Sequence, residues 1–305
     1  MTGSARRGPL SGAGAGPDLI LVNGTDLTPE DGATEAALQG ISPLDRGLHF
    51  GDGLFETIAC RRGRARFLDL HMDRLTASCE RLRIDLGDVR AIRREIRTAA
   101  ASADNSLIKL LLTRGEAVAR GYGWSGREIA TRVLLRYGWP VEDTAAAREG
   151  VRVRTASLRL GENPALAGMK HLNRLEQVIA RSEVPSQEAA ELLVFSRSGG
   201  LVSGTMSNVF LVRDGRLLTP RLDTCGVAGV MRRVVMREAR RDGLEVEETA
   251  LDSRDVATAT EMFLTNARIG IWPIRALDGR ALTPGDVTRR VQDLLAPMLE
   301  NPVDA

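Results

Sequence analysis

Hydrophobic and polar positions follow two rhythms along this chain, one of period two and one of period three to four. The apolar run Leu19-Ile20-Leu21-Val22 closes on Asn23-Gly24, a tight-turn dipeptide, and predicts a strand over 18–24. Phe55 to Cys60 predicts a second strand, with Arg61 to Arg64 as its polar turn. Leu68, Met72, Leu75, Cys79 and Leu82 then recur three and four residues apart, which is one face of a helix. A second helix is expected from Val89 to Ala101. Strands are expected over Ser106 to Thr113 and Ile129 to Tyr137, flanking the loop Arg114 to Arg127.

Gly138-Trp139-Pro140 and the polar, Ala-rich stretch to Gly150 interrupt the pattern and read as a connector. Beyond it the pattern predicts a strand from Val151 to Leu158 and a helix from about His171 to Arg181, with Leu172, Leu175 and Ile179 on one face. Strands follow at Ala190 to Ser196, Ser207 to Arg213 and Arg216 to Thr219. A helix from about Gly229 to Arg241 stops at Asp242-Gly243, where glycine suits a left-handed cap. Hairpins mix with helices without regular strand–helix alternation, so the fold class is α+β rather than a doubly wound parallel sheet. The expected organisation is a disordered tail over 1–17, a domain over 18–137, the connector over 138–150 and a second domain over 151–305.

Composition narrows the function classes. At 305 residues the chain is long for one core, and two domains are the default. Net charge is +2 and only 4% of residues are aromatic, which gives no reason to expect nucleic acid or an anionic membrane as partner. The three cysteines and three histidines are scattered, without metal-ligand spacing, so no metal site is expected. Odd, dispersed cysteines fit reduced thiols in a cytoplasmic protein. Arg6-Arg7 is not followed by an apolar stretch, and no run approaches the ~18 apolar residues of a membrane span.

Of the 42 basic residues only two, Lys109 and Lys170, are lysine. Covalent chemistry with carbonyls needs an amine that can lose its proton, and arginine supplies none. Lys109 lies inside the strand-like run Leu107 to Leu112. Lys170 lies where a strand-like run gives way to a helical pattern, at the edge of a core, where a lysine is partly desolvated yet reachable. Taken alone, a lone lysine is more often a solvated charge. Arg74, beside the apolar helix stripe, reads alone as a face residue, and Gly226 to Met231 as a loop before a helix.

Those residues gain meaning together. The segment Arg159-Leu160-Gly161-Glu162-Asn163-Pro164 through Lys170-His171-Leu172-Asn173-Arg174-Leu175-Glu176-Gln177 resembles the fold-type IV pyridoxal-phosphate enzymes, and among them the aminodeoxychorismate lyase family. Asp45-Arg46-Gly47-Leu48-His49-Phe50-Gly51-Asp52-Gly53, Arg120-Gly121-Tyr122, Thr219-Pro220-Arg221 and Cys225 to Arg232 extend the resemblance over nearly all of the chain after the tail. It implies a two-domain α+β fold, a homodimer, and Lys170 holding pyridoxal 5′-phosphate as a Schiff base. It implies that Arg74, the backbone amides of Gly229, Val230 and Met231, and Asn266-Ala267 receive the phosphate. Arg120, with Tyr122 beside it, would bind a substrate carboxylate. The implied activity is a carbon–oxygen lyase converting 4-amino-4-deoxychorismate to 4-aminobenzoate and pyruvate, in folate synthesis.

One position departs from the pattern. In Val202-Ser203-Gly204-Thr205-Met206-Ser207-Asn208 the family carries glutamate where Ser203 stands, to pair with the cofactor's pyridine nitrogen. A hydroxyl cannot supply that charge, although it can hydrogen-bond a neutral nitrogen. A lyase that forms an aromatic product tolerates this better than a transaminase. The rival readings are a D-amino-acid or branched-chain-type aminotransferase, which Ser203 and Arg-Gly-Tyr disfavour, and a non-catalytic member of the fold, which the retained Lys170, Arg74 and glycine loop disfavour.

Overall fold

The computed structural model describes residues 16–28, 40–140 and 144–302. The tail expected over 1–17, except its last two residues, lies outside the described residues, as do positions 141–143 of the expected connector.

Strands β1 (Leu19–Val22), β2 (Thr25–Asp26), β3 (Gly53–Arg61), β4 (Arg64–Ala65), β5 (Asn105–Thr113) and β6 (Thr131–Gly138) form an antiparallel sheet in the order β2-β1-β6-β5-β3-β4. Asn23 and Gly24 both have positive φ, 51° and 87°, which makes the β1–β2 connection the two-residue hairpin that this dipeptide predicts. Among the described residues three helices accompany the sheet: α1 (Arg46–Phe50), α2 (Leu68–Leu82) and α3 (Val89–Ala101). The stripe of α2 is buried as its spacing predicts, with Leu68, Met72, Leu75 and Cys79 in one core with Leu54 and Ile58 of β3 and Ile92 and Ile96 of α3. The Asp88 carboxylate starts α3 by accepting from the N–H groups of Arg90 and Ala91, at 2.8 and 3.1 Å.

The second sheet is mixed. It contains β7 (Val151–Leu160), β8 (Glu191–Ser196), β9 (Leu201–Gly204), β10 (Asn208–Arg213), β11 (Arg216–Pro220), β12 (Val246–Thr249), β13 (Glu261–Asn266), β14 (Gly270–Leu277) and β15 (Arg280–Ala281). The order is β12-β11-β10-β13-β14-β7-β8-β9, with β15 on β14, and β11–β12, β14–β7 and β7–β8 run parallel. Helices α4 (Thr144–Glu149), α5 (Leu175–Ser182), α6 (Val230–Arg241), α7 (Ser253–Thr258) and α8 (Asp286–Glu300) complete the described residues. Central strands are covered on both faces. Along β10, Val209 and Leu211 enter one cluster while Phe210 and Val212 enter another, under Val234 and Val235 of α6 and Leu295 of α8. Phe210 and Phe263 stack at 5.0 Å there, and truncating Phe210 to alanine would cost about 3–5 kcal/mol. Among the described residues no helix is long and apolar enough to cross a membrane.

Candidate active site

Lys170 lies on an extended segment stitched to both halves of the molecule. On one side Gly168 N–H donates to the Gly226 carbonyl and Ala228 N–H to the Gly168 carbonyl, both at 3.0 Å. On the other, Phe55 N–H donates to the Lys170 carbonyl and Leu172 N–H to the Gly53 carbonyl, both at 2.9 Å, which ties the segment to β3. Arg81 of α2 clamps the approach by donating to the Ala167 and Ala165 carbonyls at 2.8 and 2.9 Å. This pairing corrects the helix expected from His171. The helix begins only at Leu175, because residues 170–172 spend their backbone groups on β3. Leu175 and Ile179, expected together on one face, are both exposed.

The Lys170 Nζ stands 4.1 Å from the centroid of the Phe55 ring. The residue keeps some solvent access, yet desolvation, and then the charge of Arg74, pull its pKa down to about 7 against the pull of Glu56. Lys109 of β5 approaches the same ring at 5.6 Å.

Arg74 sits on α2 with its guanidinium turned inward. Its Nε donates to Glu56 Oε1 at 2.7 Å, its Nη2 to Glu56 Oε2, and its Nη1 to the Ala228 carbonyl at 3.0 Å. A guanidinium has five N–H donors, so two remain for an incoming anion. Glu56, fully buried in β3, also accepts from His71 Nδ1 at 2.6 Å. Burial opposes its ionisation, but Arg74 and His71 outweigh that and hold the carboxyl down to about 2. His71 is pushed below the ordinary histidine value by burial, with Glu56 opposing.

Gly229 is the N-cap of α6, which has no side-chain cap and no acidic residue in its first turn. The free amides there, Val230 and Met231 among them, make the positive end of a helix beside Arg74's contact at Ala228. A Cβ on Gly229 would stand 2.0 Å from Asn208 Oδ1, so only glycine fits; Asn208 in turn donates to the Val227 carbonyl at 2.9 Å. Asn266 closes β13, donating to the Met206 carbonyl at 3.1 Å and accepting from the N–H groups of Arg268 and Ile269, with Ala267 in the turn it caps. Ser203 lies half-buried on β9, at the end of the sheet order, and its hydroxyl donates to the Gly204 carbonyl at 2.8 Å. The turn after it is organised by buried Glu191, whose carboxylate accepts from the Thr205 and Met206 N–H groups and from the hydroxyls of Thr205 and Ser207.

Arg120 and Tyr122 are exposed on the loop between β5 and β6, and among the described residues neither hydrogen-bonds the Lys170 cluster. The Asp45 to Asp52 stretch holds that loop. Asp45 caps α1, and buried Arg46 donates to the carbonyls of Gly121, Tyr122 and Gly123 at 3.3, 2.8 and 3.0 Å. Asp52 accepts from both Arg46 and Arg114, at 2.9 and 2.8 Å. The structure thus brings together Lys170, Arg74 and the Gly226–Met231 loop. It adds Phe55, Glu56 and His71, which sequence reasoning left out of the site, and brings Lys109, the chain's other lysine, to the same ring.

A model of the family described as amino-transferase class IV matches residues 53–277. An aminodeoxychorismate lyase from Vibrio harveyi is 32% identical over 252 residues, covering 81% of this chain and 93% of its own length. The crystal structure of 4-amino-4-deoxychorismate lyase from Pseudomonas aeruginosa has a TM-score of 0.85 and 41% identity, over 93% of this chain and 100% of that one. A hypothetical aminotransferase from Mycobacterium tuberculosis in a PLP-bound form has a TM-score of 0.79 at 22% identity, over 92% of this chain and 98% of that one, and so shares the fold.

Proposed function

The chain belongs to the class IV aminotransferase family, whose cofactor is pyridoxal 5′-phosphate, and from that premise we propose that it is a lyase converting 4-amino-4-deoxychorismate to 4-aminobenzoate and pyruvate. The observation that carries the reading is Lys170 itself, a desolvated amine with a pKa of about 7, stitched between β3 and the glycine loop. When bound, the cofactor condenses with primary amines and draws electrons from the bonds at the carbon that bears the amine.

This chain's residues supply the remainder. Lys170 Nζ would anchor the cofactor, and the same amine is the base that would take the proton from the amine-bearing ring carbon. Loss of that proton and of the enolpyruvyl substituent leaves an aromatic ring. The two free N–H groups of Arg74 and the uncapped amides of Gly229, Val230 and Met231 receive the phosphate, with Asn266 and Ala267 beside it. Glu56 and His71 hold Arg74 in place. Arg120 binds a substrate carboxylate, with Tyr122 alongside. Ser203 would offer the pyridine nitrogen a neutral partner, which suits elimination better than transamination.

The working assembly is a homodimer. Leu48, Tyr122 and Ile129, 70%, 83% and 86% exposed on the single chain, are the apolar side chains a second copy would cover. Three free, buried thiols fit a cytoplasmic setting. Incubation of the purified, cofactor-loaded protein with 4-amino-4-deoxychorismate tests the activity. Stoichiometric 4-aminobenzoate and pyruvate are expected. Consumption of the substrate only in the presence of a 2-oxo acid, with no pyruvate released, would identify an aminotransferase instead.

A further inference from the structure

Away from Lys170, a cavity of about 190 Å³ lies where the two sheets, the chain between them and the end of α8 converge. Arg66 comes from the residue after β4, Trp139 from the end of the first sheet, Arg268 and Trp272 from the β13–β14 hairpin, and Glu300 from α8. Arg61 and Arg66 lie over the Trp139 ring at 4.4 and 5.5 Å, and Arg268 lies over Trp272 at 5.6 Å. Arg66 is only 5% exposed, and its Nε has no hydrogen-bond partner. Among the described residues no carboxylate lies within ion-pair distance of Arg66, which is buried, or of Arg268, which is half-buried. Burial, then the neighbouring Arg61, pull the Arg66 pKa down to about 10, with Glu300 opposing, and burial also lowers that of Arg268.

A guanidinium held from water without a carboxylate is costly, and stacking on an indole offsets only part of the cost. The planar N–H fork is the group that binds carboxylates in pairs of hydrogen bonds. Ile269 and Leu299 lie beside the two indoles, and Arg61, Thr144 and Glu300 are the other polar side chains of the lining, so the cationic groups outnumber the one carboxylate three to one. The space is below the roughly 300–1,000 Å³ of a drug-sized pocket, which limits the occupant to about one ring. We propose that this cleft is a second ligand site, distinct from the Lys170 centre, for a small organic carboxylate whose charge rests on Arg66 and Arg268 and whose apolar body lies against Trp139 and Trp272. Because both sheets line it, an occupant bridges the two domains.

The test is equilibrium dialysis of the cofactor-loaded full chain with labelled benzoate, against benzamide, which has the same shape without the charge, and acetate, which has the charge without the ring. Benzoate should bind at least tenfold more tightly than either. Arg268→Gln should weaken benzoate at least tenfold, and Trp139→Ala at least threefold, while the cofactor's visible absorbance stays unchanged. Arg66→Gln should act as Arg268→Gln does; because Arg66 is buried and its variant could unfold, the Arg268 result decides. Benzoate binding unaltered in Arg268→Gln would place the ligand elsewhere and overturn the proposal. Equal binding of benzamide would overturn the role of the guanidinium groups. None of these readouts depends on the lyase reaction, so their failure leaves that reading standing, and the converse holds.

Discussion

Lys109 and Lys170, the only lysines of the chain, face the same aromatic ring: their Nζ atoms stand 5.6 and 4.1 Å from the centroid of Phe55. Proximity alone does not separate them, but their settings do. Only Lys170 lies on the segment that joins the glycine loop to β3, and its pKa is about 7. Borohydride treatment of the cofactor-loaded protein should therefore fix the cofactor on Lys170. Peptide mapping that found the adduct on Lys109 would sink the assignment.

The depressed pKa of Lys170 sets a pH profile. Below pH 7 the amine is protonated and cannot attack a carbonyl, so the rate at which cofactor-free protein takes up pyridoxal 5′-phosphate should rise through a midpoint near 7 and level off above it. Lys109 contributes to that depression, though less than Arg74 and Arg174 do. Lys109→Met should move the midpoint upward, because removing a positive neighbour favours the ammonium form. A midpoint near the ordinary lysine value of 10.5 in the unmodified protein would refute the desolvation account.

Glu56 and Arg74 act as a unit. Arg74→Ala should weaken cofactor binding about 10- to 150-fold, the worth of one charge-assisted contact of roughly 1.5–3 kcal/mol. It should also destabilise the fold by about 3–5 kcal/mol by leaving Glu56 buried without its partner. The Glu56 carboxyl titrates at about 2 in the fold against an ordinary 4.5. Its contribution to stability is thus present above pH 4.5 and is lost as pH falls toward 2. Denaturant melts of the unmodified protein and of Glu56→Gln across that window should converge at the acid end; parallel curves would show that the pair carries no such linkage.

Arg120→Ala should raise KM for 4-amino-4-deoxychorismate by roughly 10- to 150-fold while leaving cofactor content unchanged. Loss of cofactor with an unaltered KM would move Arg120 out of the substrate site.

Ser203→Glu should raise transamination of alanine or glutamate relative to the lyase rate, since a carboxylate partner keeps the pyridine nitrogen protonated. Robust transamination by the unmodified protein, unchanged by the added carboxylate, would show that Ser203 does not govern the cofactor's electronics.

The sequence was most legible where burial of one face decides the structure. The α2 stripe and the full length of α3 are readable because apolar spacing alone dictates which side packs. The start of α5 is not, because what holds residues 170–172 extended is β3, distant in sequence and silent about its partner. Beyond Gly243, β12 and β15 are short and polar and β14 carries Pro273 within its run, so none of the three announces itself as a strand. Within the site, Lys170 was findable by lysine scarcity and motif. Glu56, His71 and Glu191 were not, since one acid sits mid-strand, another opens a strand, and the histidine lies on the helix stripe. Each acquires meaning only from the donors that the fold delivers to it.

The two-sided stitching of the Lys170 segment makes the reactive amine a gauge of the seam between domains. A motion that parts the sheets must undo one side of this stitching, either the Phe55–Lys170 and Leu172–Gly53 hydrogen bonds or the Gly168–Gly226 and Ala228–Gly168 pair. Water would then reach the Nζ and its proton affinity would climb back toward that of a free lysine. The nucleophile is thus armed only while the seam is shut, and its reactivity at neutral pH reports how often the molecule breathes open.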